Sequence, residues 1–264
     1  MSVLDEIIAA QRKSIEHLYN TYPNQSYEEM ANEQPPTKSF KTALKKGKTN
    51  IIAEFKRRSP YTGDIYPQAS VEETVKAYEK SSAVAISILT NCRFGGSMGD
   101  LKKAREYTSL PLLRKDFIID TLQIYESRAY GADAILLIAK ILKKEQIAEY
   151  CKLAKKLSMD VIVEVHDKID IENAVYASAE IFGINTRNLE TGILSKEHFG
   201  ELANAVIDEN NMVIAESGIQ NYKDIEDLRQ KTQRPINGYL VGTALMRASS
   251  IKDTVEDLIR KPHK

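Results

Sequence analysis

The sequence predicts an α/β protein, a (β/α)8 barrel of the TIM-barrel type behind an N-terminal helical extension. Three observations carry this. Eight short apolar runs follow Ile51, at the spacing of βα units. Amphipathic helical stretches fill the gaps between them. The runs also lack the polar/apolar alternation of a one-sided sheet, as expected where both faces are buried. The 264 residues suit one barrel, which typically needs about 250. The chain therefore divides into an extension over 1–48 and a barrel over 49–264.

In the extension, Leu4, Ile7, Ile8, Ile15 and Leu18 fall mostly on one helical face. Tyr22-Pro23-Asn24 breaks that helix, and Pro35-Pro36 ends the next. Phe40 and Leu44 mark a third piece that stops near Gly47. The apolar runs are IIAEFK, AVAISILT, LPLLRKD, AILLIA, VIVEVH, IFGINTR, MVIAESG and GYLVGT. Ser70-Val-Glu-Glu73 reads as a capping box, and Gly131 as the C′ residue after TLQIYESRAY. Alternating strands and helices give a barrel or an open doubly wound sheet. Eight units favour the barrel, and no GxGxxG follows the first strand to suggest a dinucleotide site. Residues 57–70, with Pro60, Gly63 and Pro67, form the longest irregular piece and read as a lid on the catalytic face.

Lys+Arg and Asp+Glu both total 37. A net charge of zero argues against nucleic acid or a membrane surface as the main partner. Two cysteines, Cys92 and Cys151, in a chain of 264 residues read as reduced thiols. No Cys/His spacing resembles a zinc site, so no metal is expected. The N-terminus lacks a continuous apolar h-region, and no apolar run is long enough to span a bilayer. A cytoplasmic protein, monomeric or a weak homo-oligomer, with a small-molecule partner is expected.

Barrel active sites lie at the carboxyl ends of the strands. Those ends hold Glu54 and Lys56, Lys115 between Arg114 and Asp116, Glu164 and His166, Asn185 with Arg187 and Asn188, Glu216-Ser217-Gly218, and Gly242-Thr243. Residues i and i+2 share a face, so Glu54 and Lys56 point together, as do Asn185 and Arg187. Burying unpaired charges costs several kcal/mol each, roughly, so converging charges favour a site over a purely structural role. His166 alone reads as a satisfied core or rim histidine rather than an acid or base. Ser217-Gly218 and Gly242-Thr243, after the last two strands, suggest a phosphate cradle, because glycine lets backbone N–H groups approach an anion.

The chain resembles the indole-3-glycerol-phosphate synthase family in eight blocks taken in order. They are IIAEFKRRSP (51–60), SILT with the later FGGS (87–97), PLLRKDFIID (111–120), GADAILLIA (131–139), VEVH (163–166), GINTRNL (183–189), AESGI (215–219) and VGTALM (241–246). The resemblance implies decarboxylative ring closure and dehydration of 1-(2-carboxyphenylamino)-1-deoxyribulose 5-phosphate, with no cofactor. It implies Lys115 as general acid, Glu164 as general base and Lys56 as the second lysine. Glu54 and Asn185 would orient these groups and the sugar hydroxyls. Ser59 and Arg187 would contact substrate, Phe117 would wall the aromatic pocket, and Glu216 and Ser217 would border the phosphate held by Gly218, Gly242 and Thr243. Asn91, Thr243 and the pair Tyr61-Thr62 depart from the family pattern and bear on phosphate and lid contacts. Two other readings compete. A phosphoribosylanthranilate isomerase-like barrel would use a strand-one Cys or Asp, whereas strand one here offers Glu54 and Lys56. A non-catalytic phosphate-binding barrel would not need Lys56, Lys115 and Glu164 together.

Overall fold

The computed structural model describes residues 3–21, 24–187 and 192–260. The expected break at Tyr22-Pro23 and the expected site neighbour Asn188 lie outside the described residues. Eight parallel strands close into a barrel: β1 (Ile51–Phe55), β2 (Ala85–Leu89), β3 (Leu112–Lys115), β4 (Ala134–Ile138), β5 (Asp160–Val165), β6 (Ile181–Asn185), β7 (Met212–Glu216) and β8 (Gly238–Val241). Each apolar run of the sequence matches one of them, β5 starting one residue ahead of its run at Asp160. β1 seals the barrel by pairing with β2 (Ile52 opposite Ala85) and with β8 (Ile52 opposite Leu240).

Strand parity divides the core. Ile52, Leu113, Leu136, Ile162, Ile181, Ile214 and Leu240 pack inside the barrel with Phe40, Ala43 and Leu44. Ile51, Ile86, Ile88, Leu112, Val163, Phe182, Val213 and Tyr239 face outward onto the helices. At roughly 1.5–3 kcal/mol for each fully buried large apolar side chain, this two-layer burial is the main driving force.

Three helices precede β1: α1 (Val3–Thr21), α2 (Asn24–Asn32) and α3 (Phe40–Ala43). Leu44, just after α3, plugs the amino-terminal end of the barrel, where a β-carbon on Gly238 would overlap its side chain. Asn50 fastens this plug. Its Nδ2 donates to Leu44 O at 2.7 Å and Asn237 O at 2.8 Å.

The outer helices begin and end as their sequences dictate. Ser70 Oγ accepts from Glu73 N at 3.3 Å to open α4 (Val71–Glu79), the N-cap half of the expected box without the reciprocal Glu73 bond. Ser97 and Asp100 form a reciprocal box on α5 (Met98–Arg105). Gly131, at φ +87°, follows the end of α6 (Thr121–Ala129), a left-handed turn that glycine adopts without a Cβ penalty. Behind these come α7 (Lys144–Lys156), α8 (Lys168–Tyr176), α9 (Lys196–Ala205), α10 (Tyr222–Gln230), α11 (Thr243–Met246) and α12 (Ile251–Ile259).

The 57–70 loop is more ordered than its sequence suggests. Arg58–Ser59 pairs antiparallel with Gly63–Asp64 in a short ribbon. Arg57 anchors its base through a two-pronged pair with Asp100, at 2.8 and 3.0 Å. Among the described residues no helix is long and apolar enough to cross a membrane. Cys92 is exposed, Cys151 is half-buried, and both thiols are free.

Arg114 alternates with Lys115 on β3 and so faces away from the barrel interior. It is buried, and it meets Glu126 at 2.9 Å and Asp116 at 3.1 Å. Losing one partner of a buried ion pair costs about 3–5 kcal/mol, because the remaining charge is left undercompensated. Glu126→Ala is therefore expected to lower stability by about 3 kcal/mol, read as a lower urea midpoint with an unchanged slope.

Candidate active site

The interior-facing positions at the carboxyl ends of the strands converge on two adjoining cavities. The larger, about 110 Å³, is lined by Glu54, Lys56, Ser59, Lys115, Asn185, Arg187, Glu216, Ser217, Gly218, Gly242 and Thr243. The smaller, about 60 Å³, is lined by Leu89, Phe117, Leu136, Ile138 and Glu164, and by Lys115 and Asn185 again. All thirteen residues expected from the sequence thus border this one region, and Lys115 stands between its two halves.

The geometry centres on the Lys115 ammonium. Its Nζ lies 3.1 Å from Glu164 Oε2 and 3.1 Å from Glu216 Oε2. The Lys115 side chain is 15% exposed, against 2% for Glu164 and 1% for Glu216. Asn185 Nδ2 donates to Glu164 Oε1 at 3.2 Å, and Arg187 N donates to Asn185 Oδ1 at 3.0 Å. On the opposite wall Lys56 Nζ is 2.6 Å from Glu54 Oε2. Glu54 Oε2 and Glu216 Oε2 have charge partners nearby, and neither these nor Glu216 Oε1 has a hydrogen-bond donor in line among the described residues. Both residues line the larger cavity. Buried acceptors of that kind are costly unless a ligand or water satisfies them.

Charge balance sets the ionisation states. Burial disfavours the Lys115 ammonium, but Glu164, Glu216 and Glu54 together outweigh it and hold the lysine firmly protonated. Burial also opposes ionisation of Glu164. There the Lys115 charge, the His166 hydrogen bond and Asn185 win, and the carboxyl sits well below its usual range. Glu216 goes the other way: burial raises it, Lys115 only partly offsets this, and the neighbouring Glu164 carboxylate completes the rise to about 7. Two carboxylates against one ammonium cannot both be equally acidic.

Glycines make room for these side chains. A β-carbon on Gly183 would overlap Glu216 Oε1, and one on Gly242 would overlap Glu54 Oε2. The β7 tip turns sharply: Ser217 and Gly218 have φ of +69° and +74°. A serine in the left-handed region is uncommon outside constrained sites. Thr186 Oγ1 holds this turn by donating to Ser217 O at 3.1 Å. Gly242, also lining the larger cavity, is the N-cap of α11 and makes no side-chain cap hydrogen bond, which suits a helix start that receives an anion.

Several lining residues were not singled out from the sequence for this role. Leu89 and Leu240 share the interior parity of their strands, which was the available signal. Phe94, in the turn after β2, stacks on Phe117 at 6.3 Å and had no such signal, while Tyr61, noted in the sequence only as a departure bearing on the lid, lies under the Arg187 guanidinium at 5.3 Å. His166 is buried with its Nε2 2.8 Å from Glu164 Oε1, a satisfied histidine of the kind the sequence suggested, and its partner is a carboxylate of the site. Asn91 borders neither cavity. Its Nδ2 donates to Asp116 Oδ1 at 3.1 Å and to Gln11 Oε1 at 3.2 Å, joining the barrel to α1. Among the described residues no cluster of His, Cys, Asp and Glu could hold a metal ion.

Because the folded-state value of Glu216 lies above its ordinary 4.5, its contribution to stability is full below about 4.5 and is lost as pH rises through about 7. Infrared difference spectra across that interval are expected to show one buried carboxylic acid losing its proton. The band should vanish in Glu216→Gln; a band that persists there belongs to another carboxyl.

Comparison with known proteins identifies the lineage. The family model for indole-3-glycerol phosphate synthase matches residues 4–258. An indole-3-glycerol phosphate synthase of Bacillus cereus is 39% identical over 257 residues, covering 97% of each chain. One from Bacteroides thetaiotaomicron is 36% identical over 259 residues, covering 98% of each. Among solved structures, a thiamine phosphate pyrophosphorylase from Pyrococcus furiosus superposes with a TM-score of 0.58 at 17% identity, over 80% of this chain and 94% of that one. This last likeness shows the barrel fold alone. With a barrel mouth of this charge pattern and a match over nearly its whole length, the chain belongs to the indole-3-glycerol phosphate synthase family.

Proposed function

We propose that the chain converts 1-(2-carboxyphenylamino)-1-deoxyribulose 5-phosphate to indole-3-glycerol phosphate, carbon dioxide and water, with Lys115 as general acid and Glu164 as general base. The family makes it a carboxy-lyase of tryptophan biosynthesis. The observation that carries the assignment of roles is the Lys115 ammonium, 3.1 Å from Glu164 and from Glu216, at the junction of a polar and an apolar compartment.

The two compartments suit the two ends of the substrate. The Ser217-Gly218 turn and the start of α11 offer backbone N–H groups to the phosphate. Leu89, Phe117, Leu136 and Ile138 offer an apolar slot for the aryl ring. Holding both ends folds the flexible chain so that the ring carbon meets the ketone, an effect of roughly 7–11 kcal/mol in favourable cases. Arg187 and Lys56 remain as cations for the substrate carboxylate and sugar oxygens.

The chemistry follows from these positions. The aniline nitrogen donates electrons into the ring, and the carbon bearing the carboxylate attacks the ketone. A carbon–carbon bond forms while the carbonyl oxygen becomes an alkoxide, which takes a proton from Lys115. Carbon dioxide then leaves with its bonding electrons returned to the ring, restoring aromaticity. Dehydration expels the new hydroxyl as water, protonated by a lysine, while Glu164 removes the proton from the methylene carbon beside nitrogen. The nitrogen serves as the electron source throughout, so the sequence of steps requires no external electron sink. Two free thiols are compatible with a cytoplasmic setting.

Incubation with the carboxyphenylamino substrate is expected to release carbon dioxide and indole fluorescence together; absence of both refutes the assignment. Lys115→Met should retain the fold by circular dichroism and keep less than about one per cent of kcat. Glu164→Gln should lower kcat with little change in KM, since the base acts in the transition state. A normal kcat with a raised KM would remove Glu164 from that role.

A further inference from the structure

Glu164 is held at both oxygens, and one of its holders has no part in the chemistry above. His166 lies two residues beyond Glu164, just past the end of β5, and its side chain turns to the same side as the Glu164 carboxylate. His166 Nε2 is 2.8 Å from Glu164 Oε1, while Lys115 Nζ is 3.1 Å from Oε2. The imidazole is 8% exposed and lines neither cavity. Its backbone is fixed on both sides: His166 N donates to Asp170 Oδ2 at 2.8 Å, and His166 O lies 2.7 Å from His198 Nε2. This arrangement anchors the ring, and the ring in turn anchors the carboxylate.

We propose that His166 is a positioning residue for the general base: opposite Lys115, it clamps the Glu164 carboxylate in a single orientation toward the aryl compartment and keeps it a proton acceptor through turnover. The inference rests on the reading of Glu164 as the base.

The surroundings of His166 favour this role. Glu164 from β5 and Asp170 from α8 present negative charge to it, and Glu216 from β7 adds to this once its own proton is lost. His198 from α9 reaches only its carbonyl oxygen, and Lys140, after β4, acts on Asp170. Burial by itself would discharge the imidazole. The Glu164 hydrogen bond and charge, then Asp170 and Glu216, reverse that and raise His166 above the ordinary histidine value. Protonated, the clamp is an imidazolium on a carboxylate; neutral, an Nε2–H can donate to the same oxygen. Glu164 is kept below its usual range by Lys115 first and by His166 next. The acidic limb of activity should therefore lie lower than Lys115 alone would set it.

The test is the pH profile of kcat. His166→Ala removes both the hydrogen bond and the charge, and the acidic limb should move up by about one pH unit, with KM nearly unchanged. His166→Gln can place an amide nitrogen near the same oxygen without a charge. Its limb should fall between those of the parent and the alanine variant, with kcat near neutrality within about threefold of the parent. An acidic limb in His166→Ala that superimposes on the parent's, at an unchanged melting temperature, overturns the proposal. If the alanine variant does not fold, a glutamine variant identical to the parent in limb and rate overturns it equally. A parent enzyme inactive on the substrate at every pH refutes the reaction itself; an unmoved limb in an active enzyme refutes only the role of His166.

Discussion

One ammonium shared by two buried carboxylates organises the mouth of this barrel. Lys115 lies 3.1 Å from Glu164 and 3.1 Å from Glu216, and both carboxylates are almost wholly removed from water. Bare carboxylates in such a place would cost several kcal/mol each, roughly, and would protonate instead. The lysine divides that cost unequally. Glu164, with His166 and Asn185 on its other oxygen, stays ionised, while Glu216 is pushed up to about 7. An acid and a base therefore coexist a few ångströms apart at neutral pH.

The barrel makes this possible through strand parity. On each strand the same period that buries Ile52, Leu113, Ile162 or Ile214 deeper inside brings Glu54, Lys115, Glu164 or Glu216 to the mouth. The apolar layers below fix the polar layer above, and Leu44 closes the far end. Small residues complete the fit: Gly183 leaves room for the Glu216 carboxylate and Gly242 for the Glu54–Lys56 pair. The glycine that frees space for the Glu54–Lys56 pair is also the N-cap of α11, so the ion pair and the candidate phosphate cradle adjoin at Gly242.

Much of this was legible in the sequence because it depends on periodicity. Eight apolar runs became eight strands, and the i, i+2 rule paired Glu54 with Lys56 before any coordinates. The same rule applied to Glu164 and His166, but an isolated histidine carries too many possible roles for its partner to be read from spacing alone. Features that depend on loop conformation were hidden. The ribbon between Arg58–Ser59 and Gly63–Asp64 is interrupted by Pro60 and has no alternating pattern, and Tyr61 reaches Arg187 only through that fold. Asn91 appeared as a departure bearing on the lid and phosphate; its tertiary contacts assign it to the Asp116–Gln11 junction instead.

The central claim is that the Lys115 ammonium meets the oxygen on which negative charge develops when the ring closes. A crystal structure with a substrate analogue reduced at the ketone tests it most directly. The account predicts Lys115 Nζ at about 3 Å from the resulting hydroxyl, within proton-transfer reach, with the aryl ring against Phe117. A hydroxyl turned away from Lys115, with the ammonium still closed between its two carboxylates, would contradict it.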